Sequence, residues 1–294
     1  MENQFPVLDG FERTRMTTSG TEINLRKAGQ GPPLLMLHGY PQTQVMWHRI
    51  APALAKRFTV VLTDLRGYGD SAKPPGGDHH QAYSKRAMAQ DQVEVMAALG
   101  FEKFAVVGHD RGARVGHRMA LDHPERVSKL AVLDIAPTLA MYERTDMAFA
   151  RAYYHWFFLI QPYDLPERLI GADPDYYLEK KLGKWSQSAG CFDAAALAEY
   201  QRCFRDPATI HATCEDYRAA AGIDLDHDRA DLDRKLACPL LVLWGAKGVI
   251  ERSYPVLEIW RERAREVRGK ALPCGHFLAE EAAAETLAEL VQFL

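Results

Sequence analysis

Asp110 is the residue whose type and setting point most directly to chemistry. It stands in Gly108-His109-Asp110-Arg111-Gly112, directly after the apolar run 104–107. Glycines two positions either side of a polar residue, between a strand-like run and a helical one, predict a sharp turn. That turn lifts the central side chain above a sheet; many hydrolases place serine there. A carboxylate does different work. It is ionised at neutral pH and needs no activating base, so it can displace a leaving group from saturated carbon and keep an alkyl ester on itself. A helix cap is the structural alternative, because Asp is a favoured N-cap residue.

Three further positions complete a hydrolytic set. His276, in Leu272-Pro273-Cys274-Gly275-His276-Phe277, follows the last expected strand and precedes the last helix. A base there deprotonates water, which attacks the ester carbonyl of Asp110. Asp134 ends the run 129–133 and is the expected partner that orients His276. The later stretch Trp244-Gly245-Ala246-Lys247-Gly248 has glycine where an acid would be useful, and Glu251 is the second candidate. The loop His38-Gly39-Tyr40-Pro41 follows an early strand. It aims the Tyr40 backbone N–H, together with that of Arg111, at a developing oxyanion.

Arg111 and Arg114 flank the nucleophile. Arg114 lies four residues after Asp110 and shares its helix face, which suits either a salt bridge or a ligand clamp. As a clamp the pair has a clear purpose. A substrate bearing a carboxylate is repelled by Asp110, and two guanidinium groups offset that repulsion, hold the anion in a bidentate way, and keep the Asp110 carboxyl acidic.

The elements that must position these residues alternate. Residues 11–16 and 22–27 flank Thr18-Ser19-Gly20 as a hairpin. Runs 33–37, 58–63, 104–107 and 129–133 read as strands, with helices at 81–99 and 113–121. Continuous apolar strands alternating with helices predict an α/β fold with a mostly parallel central sheet flanked by helices. Residues 138–236 hold no convincing strand and many aromatics. They read as an inserted α-helical cap between core segments 1–137 and 237–294, where strands 240–244 and 266–272 and helices near 254–264 and from 281 resume the pattern.

The 294 residues are 47% hydrophobic, enough for a large core. A formal net charge of −3 gives no basic field for nucleic acid or an anionic membrane. Residues 1–5 show no signal-peptide pattern, and the apolar runs are too short to span a bilayer. Five widely spaced cysteines read as buried, reduced thiols of a cytoplasmic protein. His79-His80 lacks a third ligand, so no metal is expected, and no phosphate or dinucleotide motif calls for a cofactor. Asp64 reads as structural.

The chain resembles the haloacetate dehalogenases of the α/β-hydrolase superfamily, most specifically fluoroacetate dehalogenases, over nearly its whole length. The resemblance rests on His38-Gly39-Tyr40-Pro41-Gln42-Thr43, on Asp64-Leu65-Arg66-Gly67-Tyr68-Gly69-Asp70-Ser71, on Gly108 to Arg114, and on Tyr154-His155-Trp156. The first two stretches are shared with epoxide hydrolases; the arginine pair and His155-Trp156 are more specific. Tyr40 stands where phenylalanine is common. The resemblance implies that His155, Trp156 and a cap tyrosine, by position Tyr217, donate hydrogen bonds to a departing halide. Trp185 is expected to line the same pocket. It further implies a haloacid substrate, fluoroacetate plus water giving glycolate and fluoride, and a homodimer. An epoxide hydrolase and a non-catalytic small-ligand receptor on the same scaffold are the alternatives.

Overall fold

A computed structural model describes residues 8–294; residues 1–5, read above for a leader, lie outside the described residues. Eight strands form one sheet: β1 Glu12–Thr17, β2 Glu22–Ala28, β3 Pro33–Leu37, β4 Thr59–Thr63, β5 Phe104–His109, β6 Val127–Leu133, β7 Leu240–Gly245 and β8 Val267–Leu272. Their order is β1-β2-β4-β3-β5-β6-β7-β8. The pairings of β1 with β2 and of β2 with β4 are antiparallel, and all others are parallel. The central strands are apolar without alternation because helices cover both faces, and every residue of β5 and of β7 is buried. The hairpin strand β1, at the sheet edge, is mostly exposed and carries Glu12, Arg13 and Arg15.

Among the helix boundaries that differ from the sequence expectation, two bear on the site. The helix expected from 81 begins at Lys85, because Ser84 is extended (φ −60°, ψ 149°) and its hydroxyl caps the Ala87 N–H. Residues Asp78–Tyr83 form a separate 3₁₀ turn with His79 and His80 in the left-handed region. The helix expected from 113 begins at Arg111 and runs to Asp122, so its first turn abuts Asp110. Between β6 and β7 the described chain is helical from Thr138 to Ala230, apart from short connections. All five cysteines are free and buried. No helix among the described residues is long and apolar enough to cross a membrane.

One buried carboxyl ties three parts of the fold together. Glu280, in the short helix Leu278–Glu281, accepts from Gln42 Nε2 in the loop after β3 and from the Tyr200 hydroxyl in the helix Ala194–Phe204. Burial pushes it up to about 8, against the pull of these two donors. An acid raised in the folded state holds a proton that the unfolded chain has lost. Stability therefore falls as pH rises from about 4.3, the ordinary Glu value, through about 8. Glu280→Gln, which is neutral throughout, is expected to flatten that decline. Urea midpoints at about pH 5 and about pH 8.5 check it; an unchanged slope refutes it.

Candidate active site

Three adjacent parallel strands end in site residues. β5 delivers Asp110, whose φ of 45° and ψ of −113° are unusual for a residue with a side chain. Two glycines make the turn fit. A Cβ on Gly112 would lie 2.4 Å from the His38 carbonyl oxygen, and one on Gly39 would lie 2.5 Å from the Asp110 Cβ. Asp110 does not cap the following helix with its side chain. Instead its Oδ2 accepts the Tyr40 N–H at 3.0 Å. The capping alternative is thereby corrected: the close approach of the β3 loop takes the carboxylate away from the helix N–H groups.

The Tyr40 loop is itself fixed by His38. Its Nδ1 donates to the Gly39 carbonyl at 3.0 Å and its Nε2 accepts from the Leu65 N–H at 3.0 Å. Asp64 is held as a structural acceptor of Asn24, Gln44 and the Asp70 N–H.

β6 delivers Asp134, also at positive φ (53°). Its Oδ1 accepts the Gly245 N–H at 2.9 Å and its Oδ2 accepts His276 Nδ1 at 2.6 Å. The imidazole is thus held with Nδ1 as donor, and its Nε2 is buried with no hydrogen-bond partner among the described residues. Glu251 accepts instead from Trp244 Nε1 and takes no part in this pair. Behind the base, the His109 ring donates through Nε2 to the His276 carbonyl at 2.8 Å; burial, with His276 beside it, lowers His109 to about 3 and keeps it neutral.

Burial alone would raise the Asp110 carboxyl. His276, then Arg114, His109 and Arg111, outweigh it and hold the group below the ordinary carboxylate value. The carboxylate therefore stays ionised below the pH at which an ordinary Asp protonates.

The two arginines differ. Arg111 is fully buried and donates through Nε and Nη2 to the Asp216 carboxylate at 2.8 and 2.7 Å. Only its Nη1 has no partner. Arg114 makes no ion pair among the described residues, so the salt bridge to Asp110 does not form. Its Nη1 donates to the Ala136 carbonyl and the Thr138 hydroxyl, its Nη2 meets Met141 Sδ, and its Nε is buried without a partner. Asp216 fills one edge of the Arg111 guanidinium, so the pair has Arg111 Nη1 and Arg114 Nε left without a partner among the described residues.

Above these groups, residues of the helical segment present further unpartnered donors. His155, Trp156 Nε1, Trp185 Nε1 and the Tyr217 hydroxyl are all buried with no partner among the described residues. Burial, helped by Lys181, drives the His155 imidazole well below its ordinary value, so it stays neutral with one N–H to donate. The rings of His155 and Tyr217 are 5.5 Å apart, and those of Trp156 and Tyr217 are 6.4 Å apart. Each arginine faces one of these rings: Arg111 lies 4.2 Å from the Tyr217 centroid and Arg114 4.8 Å from that of Trp156. Trp185 lies 4.6 Å from both the His155 and the His276 rings, and its carbonyl accepts the His276 N–H.

Sequence reasoning missed Asp216, Lys85, Tyr68 and Tyr142. Asp216 is held by Arg111, by Lys85 Nζ and by the Tyr68 hydroxyl, the last at 2.6 Å. Lys85 stands in a helix's first turn, where the dipole disfavours a cation; that is the one local sign of a buried acid nearby. Tyr142, whose hydroxyl is also unpartnered, packs 4.9 Å from the Trp156 ring.

Comparison with known proteins bears on the fold and the family. A model of the alpha/beta hydrolase fold family matches residues 32–283. The chain is 49% identical to a fluoroacetate dehalogenase from Burkholderia sp, over 98% of this chain and 95% of the relative. It is 35% identical to a soluble epoxide hydrolase from Corynebacterium sp. (strain C12), over 90% of each. A crystal structure from Nostoc sp PCC 7120, grouped with the alpha/beta hydrolases, superposes with a TM-score of 0.95 at 66% identity, covering 96% of this chain and 97% of the other.

Proposed function

The chain belongs to the α/β-hydrolase fold family, and on that scaffold we propose that it hydrolyses the carbon–halogen bond of a short 2-haloacid, fluoroacetate foremost. The observation that carries this reading is a buried guanidinium that makes no ion pair among the described residues. Arg114 is 3% exposed, its Nε is unpartnered, and it stands one helical turn after the carboxylate nucleophile. Burying a cation unpaired is costly, and an anionic substrate removes that cost. A neutral haloalkane or epoxide gives no such reason. The 49% identity to a fluoroacetate dehalogenase supports the same substrate class.

The steps follow from the donors and acceptors present. The substrate carboxylate takes one N–H from Arg111 and one from Arg114. Asp110 Oδ1 attacks the α-carbon, and the halide departs with the bonding pair toward His155, Trp156 and Tyr217. Fluoride is a poor leaving group, so three donors in a dry pocket are what its departure needs. His276 Nε2 then takes a proton from water, and the hydroxide adds to Asp110 Cγ. Negative charge develops on Oδ2, which already rests on the Tyr40 N–H, with the Arg111 N–H as second donor. Collapse releases the hydroxyacid with its oxygen from Oδ1, and His276 returns the proton. No step calls for a metal or an organic cofactor. The helices between β6 and β7 act as a cap that supplies the halide donors.

Halide release with fluoroacetate and chloroacetate, beside diol formation from styrene oxide, tests the proposal. Fluoride release with no diol is expected. Diol without halide would establish an epoxide hydrolase, and no turnover of any of these substrates would support a ligand-binding scaffold.

A further inference from the structure

Asp216 holds both ends of the proposed substrate site at once. Its carboxylate takes Nε and Nη2 of Arg111, and Arg111 Nη2 also donates to the Asp216 backbone carbonyl at 2.9 Å. The peptide that follows carries Tyr217, whose ring faces the same guanidinium. The anchor itself is rigid. Asp216 is fully buried, and it is pinned from the core by Lys85 Nζ on Oδ1 and by the Tyr68 hydroxyl on Oδ2. One carboxylate thus sets the direction of the unpartnered Arg111 Nη1 and the position of the unpartnered Tyr217 hydroxyl.

We propose that Asp216 is a specificity-determining positioning residue, which fixes the Tyr217 donor against the Arg111 clamp and so sets how well the site expels fluoride relative to heavier halides. The inference rests on the haloacid reading above. Its physical basis is the difference between leaving groups. Charge on a departing fluoride is concentrated on a small atom and depends strongly on well-aimed donors. Charge on bromide is diffuse and depends on them less. A misplaced Tyr217 therefore raises the barrier for carbon–fluorine cleavage more than for carbon–bromine cleavage. The carboxylate end is common to both substrates, so any loosening of the clamp cancels in their ratio.

The test is the ratio of kcat/KM for fluoroacetate to that for bromoacetate. Asp216→Asn is expected to lower it about tenfold, the size of one lost charge-assisted hydrogen bond. A role in folding alone would lower both substrates by the same factor and leave the ratio unmoved. Should Asp216→Asn not fold, Tyr68→Phe decides. It withdraws a single hydrogen bond from Asp216 Oδ2 and is expected to shift the ratio the same way, by about two- to threefold. An unchanged ratio in the folded variants overturns the inference. Wild-type protein that releases neither halide instead overturns the haloacid reading itself.

Discussion

His276→Asn protein exposed to fluoroacetate is expected to stop at the covalent stage, with one fluoride released per chain and Asp110 left as an ester. The two halves of the reaction use different groups. Alkylation needs an ionised Asp110 and an expelled halide, and His276 supplies neither the nucleophile nor a halide donor. Hydrolysis needs a base, and the unpartnered Nε2 of His276, held in place by Asp134 through Nδ1, is the one placed for it. Loss of a positioned general base costs about 10²–10⁴-fold, so steady turnover falls by that factor. Alkylation slows less: His276 is one of the groups that keep the Asp110 carboxyl acidic, but Arg114 and Arg111 remain. Mass spectrometry of the Asp110 peptide checks the result, which is a gain of one carboxymethyl group. An unmodified peptide while product still forms would overturn the covalent mechanism.

How far the sequence carries depends on how local each signal is. Asp110 is legible because the turn that presents it is built from its own neighbours, Gly108 and Gly112. The strands are legible because two-sided burial leaves no alternation to misread, as in β5 and β7. Asp134 is legible by elimination, since Gly248 leaves no acid at the later position. Asp216 is not legible. Its partners Arg111, Lys85 and Tyr68 lie 105, 131 and 148 residues away, and no window of sequence reports pairings at that range. The same distance hid the fate of Arg111. From the sequence both arginines look equally available, and only the folded chain reveals that one fork is already filled. The start of the helix at Lys85 was obscured differently, because the segment directly before it is itself a 3₁₀ turn.

That asymmetry makes Arg114 the sharper target of the two. Arg114→Ala removes the guanidinium that makes no ion pair among the described residues, while the Arg111–Asp216 pair stays intact. In the variant the substrate carboxylate meets Asp110 with one N–H rather than two, and with less positive charge between two negative groups. Losing a buried charge-assisted contact costs about 2–5 kcal/mol, so kcat/KM for fluoroacetate or chloroacetate is expected to fall about 30- to 5,000-fold. Chloroacetamide, which carries no charge, loses only what the altered packing against Trp156 removes. The acid limb of ester formation should move with it. Arg114 is among the groups that hold Asp110 below its ordinary value, so without it the carboxyl protonates at higher pH and alkylation fails earlier as pH falls. Arg114→Lys restores charge but not the planar N–H that faces the substrate, and it should recover the acid limb better than the affinity. Equal losses for the acid and the amide would show that Arg114 only packs the site. A large loss confined to the acid, with the acid limb displaced upward, would show one guanidinium both binding the substrate and keeping the nucleophile charged.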